Sequence, residues 1–169
     1  MRAIRIGELS WKGTSRYEPK AFARKSSWNG EGNRMLSEVP KILEKQFVVT
    51  ELEAIQFMGP EVPHVLSTPS LVNWMELTSR EHVAPLLNPG EDTVGISMNI
   101  EHLAPTPVGM GVRVVSTLAN AGGRVFAFEI EAFDEVDKIG KATHQRASVV
   151  VAKFAGRIAA KKEKAARGR

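Results

Sequence analysis

Residues 94–153 carry four strand-like segments in succession with very little chain between them, and that spacing leaves few folds open. The first two, residues 94–104 and 111–119, are separated by Pro105-Thr106-Pro107-Val108-Gly109. The third, 124–133, follows through Asn120-Ala121-Gly122-Gly123, a strong hairpin signal. The fourth, 138–153, follows a turn at 134–137. Links this short join antiparallel neighbours, so the four segments form a meander. Upstream, residues 46–54 (QFVVTELEA) read as a further strand, and Gly59-Pro60-Glu61-Val62-Pro63 then breaks regular structure. A helix follows, with Thr68 as its cap and Pro69 at its first position, where a missing N–H costs nothing, and it runs to about His82. Leu71, Val72, Trp74, Met75 and Leu77 cover more than one of its faces, which predicts a helix wrapped by other structure. One enclosed helix with a long antiparallel sheet is an α+β arrangement.

Composition supports a real core: 43% of residues are apolar and 25% charged. The absence of cysteine removes disulfides, thiolate nucleophiles and Cys-ligated zinc, and suits a reducing cytosol. No apolar run reaches bilayer-spanning length and residues 1–35 lack an apolar signal core, so the expected location is cytoplasmic, with no membrane partner. The net charge of +4 is unevenly spread. Residues 1–35 hold 8 Lys/Arg against 3 Asp/Glu, residues 36–152 hold 8 against 15, and residues 153–169 hold 7 against 1. The body is acidic and both ends are basic, so the high pI does not indicate a nucleic-acid-binding domain. The ends read as solvated; the sharper alternative is that they meet an anionic partner such as CoA phosphates, a carrier protein or RNA. Residues 1–35 show no sustained period and read as a basic irregular extension, 36–154 as the folded domain, and 155–169 as a basic tail, either a frayed helix or disordered.

Several residues are candidates for chemistry. Glu76, between Met75 and Leu77 on an enclosed helix, is a poorly solvated carboxylate and thus a candidate base; the plainer reading is a helix face that reaches water. His102 sits late in a strand before a Pro-rich turn, a common place for a functional group, although a lone histidine there is more often a surface or hydrogen-bonded structural residue. Thr68 has a sufficient explanation as a helix cap. Gly95 lies early in a strand, where glycine costs stability, and either admits close approach of a ligand or marks a bulge. His144 and Arg146, two apart, share one face of the last strand and suit an anionic ligand, or an exposed face beside acidic surface. His64 and His82 have no metal-site spacing, and no metal is expected. Gly109-x-Gly111 lacks the strand-to-helix context of a phosphate loop and reads as a turn.

Together these segments resemble a known family. The run Val65-Leu66-Ser67-Thr68-Pro69-Ser70, then Met75-Glu76, Gly90-Glu91-Asp92-Thr93-Val94-Gly95, and His102-Leu103-Ala104-Pro105-Thr106-Pro107-Val108-Gly109 is similar to the fluoroacetyl-CoA thioesterase group of hotdog proteins. Gly140 through His144-Gln145-Arg146 to Ser148-Val149-Val150 resembles that group's closing strand. The resemblance covers roughly residues 36–154. It implies a hotdog fold, a long antiparallel sheet wrapped around one central helix, usually in a dimer. It implies an acyl-CoA thioesterase that needs no cofactor and meets coenzyme A only as part of its substrate. Thr68, Glu76 and His102 fall on the family's catalytic triad, and Gly95 on its acyl site; Arg146 is then placed to help position the ligand or its CoA moiety. Glu76 would activate water or attack the carbonyl directly. Thr68 and Glu76 are eight residues apart on one helix, about 12 Å along its axis, and cannot hydrogen-bond within it. The implied site is therefore built across a homodimer interface. No aromatic residue lies between Gly59 and Ser67, where a fluoroacyl-selective enzyme is expected to have an aromatic gate, so another small acyl-CoA is the expected substrate. The competing reading is a non-catalytic hotdog protein that binds acyl-CoA or an acyl carrier. A hydratase would want a separate Asp–His motif, which is not seen.

Overall fold

The structure is a computed structural model that describes residues 40–168. The expected irregular extension over residues 1–35, and the expected domain start at residue 36, lie outside the described residues. The chain runs β1 (Ile42–Val48), β2 (Ala54–Ile55), β3 (Val65–Leu66), α1 (Thr68–Val83), a 3-10 turn (Ala84–Leu86), β4 (Glu91–His102), β5 (Gly111–Gly122), β6 (Val125–Phe133), β7 (Lys138–Val150) and α2 (Val151–Arg167). Five strands form one antiparallel sheet in the order β1-β5-β6-β7-β4, and β2 pairs β3 apart from it. Of the expected four-strand meander only β5-β6-β7 is present: β4 does not pair β5 across the 105–109 link but closes onto β7, so among the described residues it forms one edge of the sheet and β1 the other.

The sheet wraps α1 because its inner face is apolar at every second position. On β6, Phe126, Phe128, Ile130 and Ala132 are buried and alternate with more exposed residues. Val112 and Val114 of β5 and Ile139 and Ala142 of β7 continue that surface. From the helix, Leu71, Trp74, Met75 and Val83 pack into it, and Trp74 stacks on Phe47 of β1 with ring centroids 4.8 Å apart. Burying side chains of this size stabilises by about 1.5–3 kcal/mol each. Close approach of α1 to β7 depends on Gly140, where a Cβ would lie 2.9 Å from Leu71 Cδ2. The helix is not enclosed all round: Val72 is half-buried and Leu77 is exposed.

β4 spans Glu91–His102 rather than 94–104 and β5 runs on to Gly122 rather than 119, and three further features depart from expectation. β1 lies at Ile42–Val48 rather than 46–54, paired with β5 from Thr117 to Gly111. The chain leaves the sheet after Val48, where Glu53 accepts the backbone N–H of Thr50 at 3.0 Å and closes a local turn. The last strand stops at Val150, not residue 153, because its partner strand starts at Glu91, which pairs Val150. Past that point the Val151 N–H bonds Gly90 O at 2.9 Å and the chain turns into α2, so the tail is a helix as far as Arg167. Thirdly, Ser67 caps α1, not Thr68: its backbone is extended and its side chain accepts the Ser70 N–H at 3.2 Å.

Candidate active site

Losing the capping role frees the Thr68 hydroxyl. The start of α1 is pinned beside the end of β4, since Leu66 N–H bonds Thr106 O at 2.8 Å and Val65 bridges Pro107 in the β4–β5 link. This brings the exposed Thr68 Oγ1 to 3.0 Å from His102 Nδ1. The other ring nitrogen, Nε2, is buried and has no hydrogen-bond partner among the described residues. Burial pushes the imidazole below its ordinary value, so His102 is neutral near pH 7. A neutral imidazole with one nitrogen engaged by a hydroxyl keeps a donor or an acceptor in reserve on the other.

Two turns further along α1, Glu76 is held against the sheet. Its side chain is 40% exposed, so the apolar enclosure expected from Met75 and Leu77 is not what surrounds it. Cationic and polar groups do. Arg146 Nη1 lies 3.3 Å from Glu76 Oε1, and His144 Nε2 lies 3.5 Å from the same oxygen. Gly95 makes this possible: a Cβ there would stand 1.9 Å from Glu76 Oε1. The strand irregularity between Gly95 and Ser97 turns this stretch of β4 outward. Gly95 thus sits at a strand irregularity, as one of the two expectations had it, and the group that approaches it within the chain is the Glu76 carboxylate.

Arg146 is only 4% exposed, and its guanidinium is almost completely engaged. Nε donates to Thr93 Oγ1 at 2.9 Å, Nη2 to Thr93 O at 2.8 Å, and Nη1 to the Glu76 carbonyl at 3.4 Å. Burial pushes its value down while Glu76 and Asp92 push it up, and a guanidinium stays charged throughout. His144, 2% exposed, lies between Arg146 and Phe128. Burial, aided by the nearby Arg146, pushes it below its ordinary value against the opposing pull of Ser97 O and Glu76.

The candidates thus fall into two groups within one chain. Thr68 meets His102; Glu76 meets Gly95 and Arg146. His144 joins the second group, and only its shared face with Arg146 pointed to it in the sequence. No hydrogen bond links the two groups among the described residues, as the eight-residue separation on α1 requires. His82 belongs to neither: it bonds Ser116 Oγ at 3.0 Å and Pro40 O at 2.7 Å and is part of the core. Gly109, with φ of +94°, is a turn glycine as expected. Among the described residues there is no group of His, Cys, Asp or Glu able to hold a metal ion, and no helix long and apolar enough to cross a membrane.

Comparison with known proteins identifies the fold and the family. Residues 49–152 match the model of the fluoroacetyl-CoA-specific thioesterase family. The fluoroacetyl-CoA thioesterase of Streptantibioticus cattleyicolor is 34% identical over 118 residues, spanning 66% of this chain and 85% of that protein. A solved structure of a fluoroacetyl-CoA thioesterase superposes with a TM-score of 0.67 at 32% identity, covering 73% of this chain and 96% of the other. A thioesterase superfamily member from Thermus thermophilus gives 0.67 at 30% identity, covering 75% and 95%. A hot-dog-like protein from Thermanaerovibrio acidaminovorans, at 17% identity and a TM-score of 0.68 over 78% and 97%, shares the fold. The sheet wrapped on α1 is the hotdog fold, and the chain belongs to the fluoroacetyl-CoA-specific thioesterase family.

Proposed function

We propose that this protein hydrolyses a small acyl-CoA, and that each active site combines Glu76 of one subunit with Thr68 and His102 of another in a homodimer. The observation that carries the reading is the 1.9 Å that a Cβ at residue 95 would leave to Glu76 Oε1. A carboxylate pressed against exposed glycine backbone puts a base, or a nucleophile, where a flat thioester carbonyl has room to lie. Backbone N–H groups near Gly95 are suited to the charge that develops on the carbonyl oxygen. Thr68 and His102 supply the remaining hydrogen bond and proton management, with the buried His102 Nε2 left to meet the substrate or the second subunit. Arg146 acts on the substrate through Glu76 rather than directly, since its own donors are already engaged.

Two features support the composite site. The eight-residue step between Thr68 and Glu76 separates them by about 12 Å along the helix. β4 is also a twelve-residue edge strand that, among the described residues, pairs only with β7, with Ile96 exposed on it and Leu103 just beyond its end, and a long unpaired edge is a template for another strand. The acyl group is small, and is not restricted to fluoroacetyl: the stretch between Gly59 and Ser67 offers Val62, 39% exposed, and no Phe, Tyr or Trp. CoA enters as substrate, no cofactor takes part, and the protein works in the cytoplasm.

The test is thiol release from a panel of short acyl-CoAs, with Glu76→Gln beside the wild type. Turnover of one acyl-CoA that the variant loses supports the reading. Binding of CoA esters without turnover of any would favour the acyl-CoA-binding alternative.

A further inference from the structure

We propose that Thr106 and Asp134 are positioning residues: their buried hydrogen bond clamps the β6–β7 turn onto the β4–β5 link, and that clamp sets the contact between Thr68 and His102. The inference rests on the reading that Thr68 and His102 serve the active site, and adds to it the residues that hold the two together.

Neither side chain bonds Thr68 or His102 among the described residues, yet both are buried: Thr106 is 0% and Asp134 5% exposed. A carboxylate with so little water needs partners for both oxygens. Oδ1 accepts the N–H groups of Val136 at 2.8 Å and Asp137 at 2.7 Å, which closes the β6–β7 turn. Oδ2 accepts the Thr106 hydroxyl at 3.0 Å, from 28 residues back in the chain. One oxygen shapes a turn; the other ties that turn to a different part of the fold. The turn itself needs only the first.

From the Thr106–Asp134 bond two short paths lead to the pair. Thr106 O accepts the Leu66 N–H at 2.8 Å, and His64 O accepts the Val108 N–H at 3.0 Å. β3 is therefore laid along the link. Ser67 follows β3 directly, caps α1 and so fixes where Thr68 stands. On the other side the turn runs into β7, whose Ile139 O accepts the Leu103 N–H at 2.8 Å and whose Gly140 pairs His102. Thr68 is thus held through the link and His102 through the strand, and both paths start from one turn. Glu135 of the same turn also accepts the Gly111 N–H at 2.8 Å, but at the far end of the link.

The pair cannot hold itself. Thr68 Oγ1 and His102 Nδ1 meet at 3.0 Å across 34 residues of sequence, and Thr68 is exposed. A single neutral hydrogen bond in reach of water contributes little net stability, too little to fix a helix against a strand. A buried bond to an ionised carboxylate is roughly twice as strong as a neutral one, and is the better anchor.

The experiment measures kcat/KM with the best acyl-CoA, and Tm, for Thr106→Val, Thr106→Ser, Asp134→Asn, Thr68→Ala and Gly95→Ala, and for T106V combined with each of the last two. Val keeps the shape of Thr but donates nothing, so the turn keeps its Oδ1 bonds and only the clamp is lost. Ser keeps the donor. Asn reverses the bond, its amide N–H donating to Thr106 Oγ1 while its oxygen still closes the turn. We expect T106V to lower kcat/KM by about 3- to 10-fold, as T68A does, with T106S and D134N within about twofold of wild type. Groups that act through one another do not add, so T106V/T68A should fall no more than about twofold below T68A, while T106V/G95A shows the full product of its two losses. A residue that only stabilised the fold would multiply with both. Wild-type kcat/KM in T106V, a loss in T106S or D134N equal to that of T106V, or a T106V loss that multiplies as fully with T68A as with G95A would overturn the inference and leave the proposed function standing. Wild-type activity in T68A would overturn the role of Thr68 in that function, and the purpose of the clamp with it. Should T106V not fold, Thr106→Ala takes its place in both double variants.

Discussion

The two halves of the site sit on the same helix and are built in opposite ways. At the N-terminus of α1, Thr68 and His102 make one hydrogen bond to each other, and a buried ring nitrogen is left over. At its middle, Glu76 is held by Arg146 with the His144 ring beside it, and Arg146 spends its donors on Thr93 and Glu76. The first half is open to a partner and the second is already furnished. A fully paired polar cluster fixes a reactive group in place, whereas an incomplete one has affinity left for what arrives later. On the proposed reading the difference means that neither half suffices alone: the rigid half would supply the carboxylate and the open half the hydrogen bonds that substrate completes.

The sharpest break in this comparison comes from the furnished half. Glu76→Gln should lower kcat by about 10²–10⁴-fold, read as thiol release. Gly95→Ala should follow with a loss of about 10- to 100-fold, because a Cβ 1.9 Å from Glu76 Oε1 displaces the carboxylate. Thermal melts of G95A near wild type would show that placement, not folding, was lost. The open half should respond less. Thr68→Ala loses one neutral hydrogen bond, worth about 1 kcal/mol, so kcat/KM falls by about 3- to 10-fold and Thr68→Ser restores it.

The smallest effect concerns pH and sets His82 against both halves. Burial pushes His82 below its ordinary value, with Pro40 O opposing. The unfolded chain then takes up a proton near pH 6.5 that the folded chain resists, so stability is complete above about 6.5 and is lost as pH falls below it. His102 and His144 are shifted the same way and add to the slope. Tm should decline from pH 7.5 to 5.5, by less in His82→Gln; a flat profile would contradict the burial of these rings.

The sheet and helix were largely legible because their patterns are local. The β5–β6 hairpin, expected to turn at 120–123 and found to turn at Gly123-Arg124, and the alternation of β6 need no tertiary knowledge, and α1 runs from Thr68 to Val83 nearly as its periodicity predicts. Boundaries set by a partner were not legible. Val149-Val150-Val151 is uniformly β-favouring, yet the strand ends where β4 runs out. The sequence pointed to Thr68 as the cap, whereas Ser67 takes that role in the structure and Thr68 bonds His102 instead. For the site, resemblance supplied Thr68, Glu76 and His102, but not the polar setting of Glu76. That setting depends on β7 placing His144 and Arg146 opposite Met98 and Gly95 of β4, a register no single-sequence pattern encodes.

The central claim is that Glu76 and His102 serve one site from different subunits. It is tested most directly by co-expressing His102→Ala and Glu76→Gln chains and assaying the purified mixture. Each homodimer lacks one essential group in both sites, whereas a mixed dimer rebuilds one intact site of its two. With random pairing about half of the dimers are mixed, so the mixture should recover about a quarter of wild-type activity. A mixture no more active than the two variants assayed separately, with mixed dimers confirmed by mass, would place the whole site within one chain and contradict the account.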